Sequence, residues 1–476
     1  MMSKKSIITN FKHSALGVMV LLPLSCSSEV YKPTEKERPN ILLIVADDLG
    51  YNELSCYGQK FFKTPNIDEL AAQGLRFTNF YAGNTVCAPS RSSLITGLHP
   101  GHAIHRGNHG ITNGKFDRVA IPDSVVTFAE CLQDVGYKTA IIGKWHLEHP
   151  DDLSSFPVNH GFDYAFGNRL PSQSQRNYRK IHNTGDYPYY PDTTWENSRK
   201  YFIPENKNNA TGLFIDDLYT KKAIDFISKN KNQPFFVSFN FKVPHAPMSY
   251  YSDSLYFSKN WPDVERKYAA RITNKMDKSV GEIIDFLEKE GLLENTLVLF
   301  TSDNGPHVVG GHDVEFFYSN GDLRGHKGQL YEGGIRVPFI AYWKGVIEPN
   351  TVSNHIAAFW DIAPTIADIA GISDHPFTDG LSFYNELLGK EQKTQEYLYW
   401  EYYQGKWPDV AFDQIKAVRY GDYKAVYFFE TDKMELYNLK TDIGETKDVS
   451  SYHPDVVNKI KSIMHKEHDD SPFYNF

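Results

Sequence analysis

The chain has 476 residues, 41% of them hydrophobic and 14% aromatic, which excludes a disordered chain, a fibre and a small stapled scaffold. Its 59 acidic against 50 basic side chains give a formal net charge of −9; with no long basic run this argues against nucleic acid as a partner and, taken alone, disfavours an anionic substrate. Four cysteines, Cys26, Cys56, Cys87 and Cys131, are too few for a disulfide framework, and the length fits two or three domains or, preferred here, one large α/β unit with an appendage.

In chain order, Lys4, Lys5 and Lys12 precede an apolar stretch, 15–24, that is too short to span a bilayer and reads as a secretory signal over 1–26. Cys26 after Ser25 resembles the bacterial lipoprotein pattern, although Pro23 departs from it; lipidation of Cys26 is expected, with ordinary signal cleavage as the alternative. The polar segment 27–38 is then a tether, and the chain is expected to be exported, as a periplasmic protein or an outer membrane lipoprotein of a bacterium. From 41 onward short apolar runs alternate with amphipathic stretches. Strands are expected at 41–46, 139–142, 235–239, 297–301 and 337–341, and helices at 68–73, 125–135, 216–228 and 269–290. The expected fold class is α/β, a large mixed, mostly parallel sheet flanked by helices over 39–390. After about 390 aromatic and polar residues alternate, as in 397–403 and 423–429, which predicts a small antiparallel sheet followed by a helix near 456–465, a C-terminal α+β subdomain over 391–476. The segment 171–209, rich in Tyr, Asn, Arg and Pro, reads as long surface loops.

Two polar pairs sit at expected strand ends, Asp47-Asp48 and Asp303-Asn304, where open α/β sheets place their ligands. Hard oxygen donors gathered this way suit Ca²⁺ or Mg²⁺, while either pair alone is equally a turn or a cap. Cys87-Ala88-Pro89-Ser90-Arg91, followed by Ser92-Ser93-Leu94-Ile95-Thr96-Gly97, is the most specific string in the chain. Pro89 suits a first helical turn, so 90–96 is expected to form a short helix ending at Gly97, with Cys87 near its N-terminus. There the free N–H groups favour an anion, and Arg91 adds a permanent charge. On these grounds Cys87 is a low-pKa nucleophile, a metal ligand or a small buried residue, and composition does not choose among them.

The string CxPSR followed by xxLxTG resembles the signature of the type I sulfatases, in the alkaline phosphatase superfamily. Further segments in the family's order resemble its motifs: Ala46-Asp47-Asp48-Leu49-Gly50, Gly143-Lys144-Trp145-His146-Leu147, Val243-Pro244-His245-Ala246-Pro247, Ser302-Asp303-Asn304-Gly305 and the run from Gly325 to Pro338. Beyond about 390 the likeness is carried only by topology and the loose Leu436-Tyr437-Asn438-Leu439 pattern. The resemblance implies an alkaline phosphatase-like fold and a sulfuric ester hydrolase. It implies that a formylglycine-generating maturation enzyme oxidises Cys87 to formylglycine (3-oxoalanine), and that one Ca²⁺ per chain, in preference to Mg²⁺, is held by Asp47, Asp48, Asp303, Asn304 and the modified residue 87. Hydrated formylglycine would attack sulfur and form a covalent sulfoenzyme. Arg91, Lys144 and Lys327 would stabilise charge on the sulfuryl oxygens. His245, with Lys327, would protonate the departing oxygen, and His146 would remove the second hydroxyl proton so that sulfate leaves by elimination.

Met248 departs from the family, standing where many relatives place a second histidine. Pro306-His307, Gly310-Gly311-His312-Asp313 and Phe316-Phe317, with Asn108 and His109, resemble the arylsulfatase and N-acetylgalactosamine-sulfatase branches. They imply a sulfated galactose or N-acetylgalactosamine unit of a host or environmental glycan, with His102, His105, Asn108, His109, Trp195, His307 and His312 as candidate substrate contacts. The rival readings are a phosphate or phosphonate monoester hydrolase of the same superfamily and an inactive relative that binds sulfated glycans. Cys56 and Cys131 remain as ordinary thiols or as a pair.

Overall fold

The computed structural model describes residues 38–112, 114–149, 151–167, 189–248, 255–404 and 414–474. The expected signal, Cys26, nearly all of the tether and the loop stretch 171–188 lie outside the described residues. Strands β1 (Asn40–Asp47), β2 (Leu75–Tyr81), β5 (Lys138–Gly143), β6 (Tyr164–Gly167), β7 (Thr193–Glu196), β8 (Arg199–Phe202), β9 (Phe235–Pro244), β10 (Thr296–Ser302), β11 (Phe339–Tyr342) and β12 (Thr351–Ala358) form one ten-stranded sheet. A hairpin of β3 (Gly110–Thr112) and β4 (Lys115–Asp117) stands apart from it. The order is β12-β2-β11-β10-β1-β9-β5-β6-β7-β8, parallel from β10 through β6 and antiparallel where β11, β7 and β8 join.

Strand β1 is apolar on both faces because both are covered. Leu42, Ile44 and Ala46 pack in one layer with α1 (Pro65–Ala72), α4 (Ile215–Asn230) and α6 (Lys278–Lys289); Ile41, Leu43 and Val45 pack in the other with α2 (Cys87–Thr96), α3 (Phe128–Asp134) and α7 (Phe359–Ala370). Cys56 packs against the first layer and Cys131 against the second, so the two thiols lie on opposite faces of the sheet and both are free. Helix α3 opens with a capping box, Thr127 Oγ1 accepting from Glu130 N–H at 3.3 Å and Glu130 Oε2 from Thr127 N–H at 2.7 Å.

Three expectations need correction. The helix placed at 269–290 is α5 (Asp263–Ala270), a π-helical stretch Arg271–Asp277, then α6; hydrophobic spacing does not reveal a π segment, which changes the hydrogen-bond register without breaking the helix. The helix placed at 90–96 begins at Cys87 itself. Within the supposed loops, β7 and β8 form an edge hairpin, whose four-residue strands are too short for a pattern signal.

The C-terminal expectation corresponds to an antiparallel meander, β13 (Tyr397–Tyr403), β14 (Gln414–Tyr420), β15 (Tyr423–Phe428) and β16 (Lys433–Asn438), followed by α8 (Pro454–Lys466). One face, with Tyr399, Val418, Ala425 and Leu436, packs under Ile460, Ile463 and Met464 of α8. The other, with Trp400, Ala417 and Val426, packs on Tyr81, Ile335 and Trp360 of the larger body. The Lys424 ammonium is fully buried in this second contact, 3.0 Å from carboxylate oxygens of both Glu332 and Glu445.

Candidate active site

The carboxyl ends of β1 and β10 are adjacent in the sheet, which brings Asp47 and Asp48 beside Asp303 and Asn304. Asp48 lies in the left-handed region, φ 71°, and its N–H donates to Asp303 Oδ1 at 3.1 Å. Helix α2 has no side-chain cap at Val86; Asn108 Oδ1 instead accepts the Ala88 N–H at 3.0 Å, fixing the end that carries Cys87. Cys87 Sγ lies 3.5 Å from Asp47 Oδ1 and 3.9 Å from Asp48 Oδ1. Lys144 Nζ donates to both oxygens of Asp47 at 2.7 and 2.8 Å. Lys327 Nζ donates to Asp48 Oδ1 at 2.6 Å and lies 3.3 Å from Cys87 Sγ. Arg91 is fully engaged: Nε and Nη2 donate to Asp303 Oδ2 at 3.0 and 2.8 Å, and Nη1 to the Lys144 carbonyl at 2.9 Å.

Two loops complete the wall. Gly143 ends β5 at φ 108°, and a Cβ there would stand 1.7 Å from the Asn240 carbonyl, so only glycine lets the chain turn into Lys144. His146, also at positive φ, has a buried Nδ1 without a hydrogen-bond partner among the described residues. His245 follows β9; its Nδ1 bonds the Ala246 carbonyl at 2.7 Å and its Nε2 lies 3.6 Å from Asp48 Oδ2.

Electrostatics narrows the role of Cys87. Burial pushes its thiol up to about 12 against the pull of Lys144 and Lys327, so the unmodified residue is S–H and not the low-pKa nucleophile that its place on a helix N-terminus suggested. Burial also holds His146 well below the ordinary histidine range, reinforced by the positive charges of Lys144 and Arg118, which leaves a neutral imidazole able to accept a proton. His245 is lowered by burial too, with Asp48 and Asp47 opposing the shift. For Lys327 burial disfavours the charge, but Asp48 outweighs it and keeps the ammonium protonated.

The residues fit a hard divalent cation. Asp47, Asp48, Cys87 and Asp303 each offer one ligand atom within 4.8 Å of the others. Asn304 Oδ1 and Asp48 Oδ2 are buried oxygens without a hydrogen-bond partner among the described residues. Burying such oxygens together is costly unless a cation faces them, and the oxygens of Asp47, Asp48, Asp303 and Asn304 suit Ca²⁺ or Mg²⁺.

The proposed substrate contacts scatter. Asn108 supports α2, as above. His307 reaches the cluster, its ring 5.5 Å from that of His245, but its Nδ1 accepts from Val309 N–H at 3.2 Å. His105 uses both nitrogens on Ser92 Oγ and the Val119 carbonyl. His312 is buried between Glu265 (2.7 Å) and Glu53 (3.9 Å) and stacks on Tyr268 at 3.7 Å. His109 packs its ring 5.3 Å from Phe116, and Trp195 lies on β7, beside the edge strand β8, beneath the Lys200 ammonium. His102 joins a second cluster, its Nδ1 2.8 Å from Asp379 and its ring 4.2 Å from that of His99, whose Nε2 bonds Glu467 at 3.0 Å. Because His99 Nδ1 accepts the Gly101 N–H at 3.1 Å, its proton sits on Nε2, and the cluster is held together as a hydrogen-bonded clasp. Sequence reasoning missed the groups behind the site, Glu53, Tyr189 and Arg271, because each is recognisable only by what the fold packs against it.

Residues 39–372 match the family model described as "Sulfatase", and 325–471 match that of the N-sulphoglucosamine sulphohydrolase C-terminal region. An arylsulfatase of Hemicentrotus pulcherrimus is 35% identical over 82% of this chain and 67% of its own length. An N-acetylgalactosamine-6-sulfatase of Canis lupus familiaris is 32% identical over 92% of this chain and 80% of its own. Among solved structures, Ps i-CgsB in complex with k-i-k-neocarrahexaose superposes with a TM-score of 0.76 at 26% identity, covering 92% of this chain and 95% of that one.

Proposed function

The chain belongs to the sulfatase family, and on that premise we propose that the cluster around Cys87 removes sulfate from a galactose- or N-acetylgalactosamine-type unit of a host or environmental glycan. The enzyme is a sulfuric ester hydrolase acting on sulfated sugars; the choice of sugar is supported by a relative that acts on N-acetylgalactosamine 6-sulfate by its name.

The observation that carries the site assignment is a cysteine at a helix N-terminus, seated among two lysines and three carboxylates yet held as a thiol. Formylglycine made from Cys87 by a maturation enzyme would supply the attacking hydroxyl that a buried thiol cannot. Ca²⁺, in preference to Mg²⁺, held by Asp47, Asp48, Asp303 and Asn304 would add positive charge opposite the sulfate oxygens. Lys144 and Lys327 orient the carboxylates and present their ammonium groups to the same anion. Arg91 fixes Asp303 and the Lys144 backbone. His245 donates its Nδ1–H to the Ala246 carbonyl, so Nε2 carries the proton that the leaving sugar oxygen takes up only in the imidazolium form, which Asp48 and Asp47 favour against burial, and neutral His146 accepts the proton released at residue 87. Export with lipidation at Cys26 belongs to the same proposal, supported by the basic and apolar pattern before it.

Mass spectrometry of the peptide containing residue 87 tests the nucleophile: an aldehyde is expected when the chain is made with a maturation enzyme, and an intact thiol in an active preparation would refute it. Matched sulfate and phosphate esters of one sugar test the reaction, with kcat/KM favouring sulfate; preference for phosphate would transfer the site to the rival monoesterase reading.

A further inference from the structure

Arg271 has no exposed surface and, among the described residues, no carboxylate paired with it. Burying an unpaired guanidinium is expensive, and an apolar side chain of similar volume fills such a place more easily, so its contacts explain its presence better than its volume does. Among the described residues its hydrogen bonds all lie on one short strap. Arg271 Nη1 donates to the His245 carbonyl at 2.9 Å and reaches Met248 Sδ at 3.3 Å, and Nη2 donates to the Pro247 carbonyl. The guanidinium lies 4.2 Å from the ring centre of Tyr189, whose hydroxyl bonds the same His245 carbonyl and the Lys242 carbonyl at 2.9 Å. Arg271 is the first residue of the π-helical stretch, the kind of local register change that aims one side chain away from the helix pattern.

The strap holds the ring of His245. Its Nδ1 is fixed by the Ala246 carbonyl, between the two carbonyls that Arg271 grips, and its Nε2 points to Asp48 Oδ2 at 3.6 Å. We propose that Arg271, with Tyr189, is a positioning residue that aims His245 Nε2 at the leaving oxygen; this rests on the reading of His245 as the proton donor. The contribution is selective. An alcohol leaving as a sugar hydroxyl needs that proton, whereas an acidic phenol departs readily as its anion, so loss of aim harms the sugar ester most.

The test measures kcat for the matured full-length enzyme on sulfate esters whose leaving groups run from an acidic phenol to a sugar hydroxyl. Arg271→Met is expected to lower kcat on the sugar ester about 10²-fold and on the acidic aryl ester less than about fivefold, with KM little changed. Arg271→Lys, which keeps a donor, should recover about tenfold of the sugar-ester loss. Tyr189→Phe removes one hydroxyl and keeps the ring; it should show the same selectivity more weakly, and it decides the matter if Arg271→Met does not fold. Equal losses on both esters, or a loss in KM alone, would overturn the proposal. His245→Asn is measured in parallel. If it fails to steepen the dependence on leaving group, the proton-donor reading falls and the proposal with it; if it does and neither Arg271→Met nor Tyr189→Phe follows, the proposal alone falls.

Discussion

Cys87 Sγ is within 4 Å of Lys327, Asp47 and Asp48, and burial keeps the unmodified residue a thiol; in the proposed function the acting group is the formylglycine made from it. Cys87→Ala is expected to abolish turnover while leaving the melting temperature within a few degrees, since it removes a single sulfur atom from the side chain; residual activity near that of the parent would remove residue 87 from the reaction. Lys144→Ala and Lys327→Ala should each lower kcat by about 10²–10³, the usual effect of deleting one preorganised donor, read by steady-state kinetics on a sugar sulfate. These residues were legible because each sits in a compact motif. Arg271 and Glu53 were not, since an arginine or glutamate within a helical or loop pattern looks the same whether it faces water or a buried strap.

At the level of elements, the turn from β5 into Lys144 depends on Gly143. Gly143→Ala should cost more than about 1 kcal/mol by denaturant unfolding and lower kcat as well, because the new Cβ would collide with the Asn240 carbonyl at the point where Lys144 is aimed; wild-type stability and activity would show that the turn accommodates a side chain. The clasp joining the turn after α2 to the end of α8 has a definite pH signature. Hydrogen bonding to Asp379, stronger than the opposing burial, raises His102 above its usual value. A raised folded-state pKa means that this stabilisation is complete below the unfolded value of about 6.5 and is lost as pH rises through the folded one. His102→Gln should therefore lower the melting temperature most at about pH 6, and the gap should narrow toward about pH 9. A constant gap would mean that the charge of His102 contributes nothing. The strands of the central sheet were legible as continuous apolar runs, whereas the break at 271–277 was not, because a π segment preserves apolar spacing on either side.

For the molecule as a whole, the net charge of −9 does not bar an anionic substrate. Around Cys87 the carboxylates of Asp47, Asp48 and Asp303 are matched by Arg91, Lys144 and Lys327, so a divalent cation turns the pocket positive whatever the outer surface carries. Because such a cation would bind the folded chain and not the unfolded one, chelation should lower the melting temperature and Ca²⁺ should restore it; at 100-fold excess over Kd the effect is about 2.7 kcal/mol. Recovery with Mg²⁺ but not Ca²⁺ would reverse the metal preference. What the sequence by itself determined is the chemistry of the centre: the donor types, their order along the chain and the strand ends that carry them are properties of short segments. The motif resemblance already singled out His146 and His245; the tertiary structure alone decided that other candidate histidines stay away from that centre. His105, His312 and His102 are the same residue type as His146 and His245, but fold topology gives the first three internal hydrogen-bond partners, leaves His146 Nδ1 buried without one among the described residues, and sets His245 Nε2 beside Asp48. Their partners lie from 13 positions away, as Ser92 does from His105, to 277, as Asp379 does from His102, and short-range pattern carries no record of them.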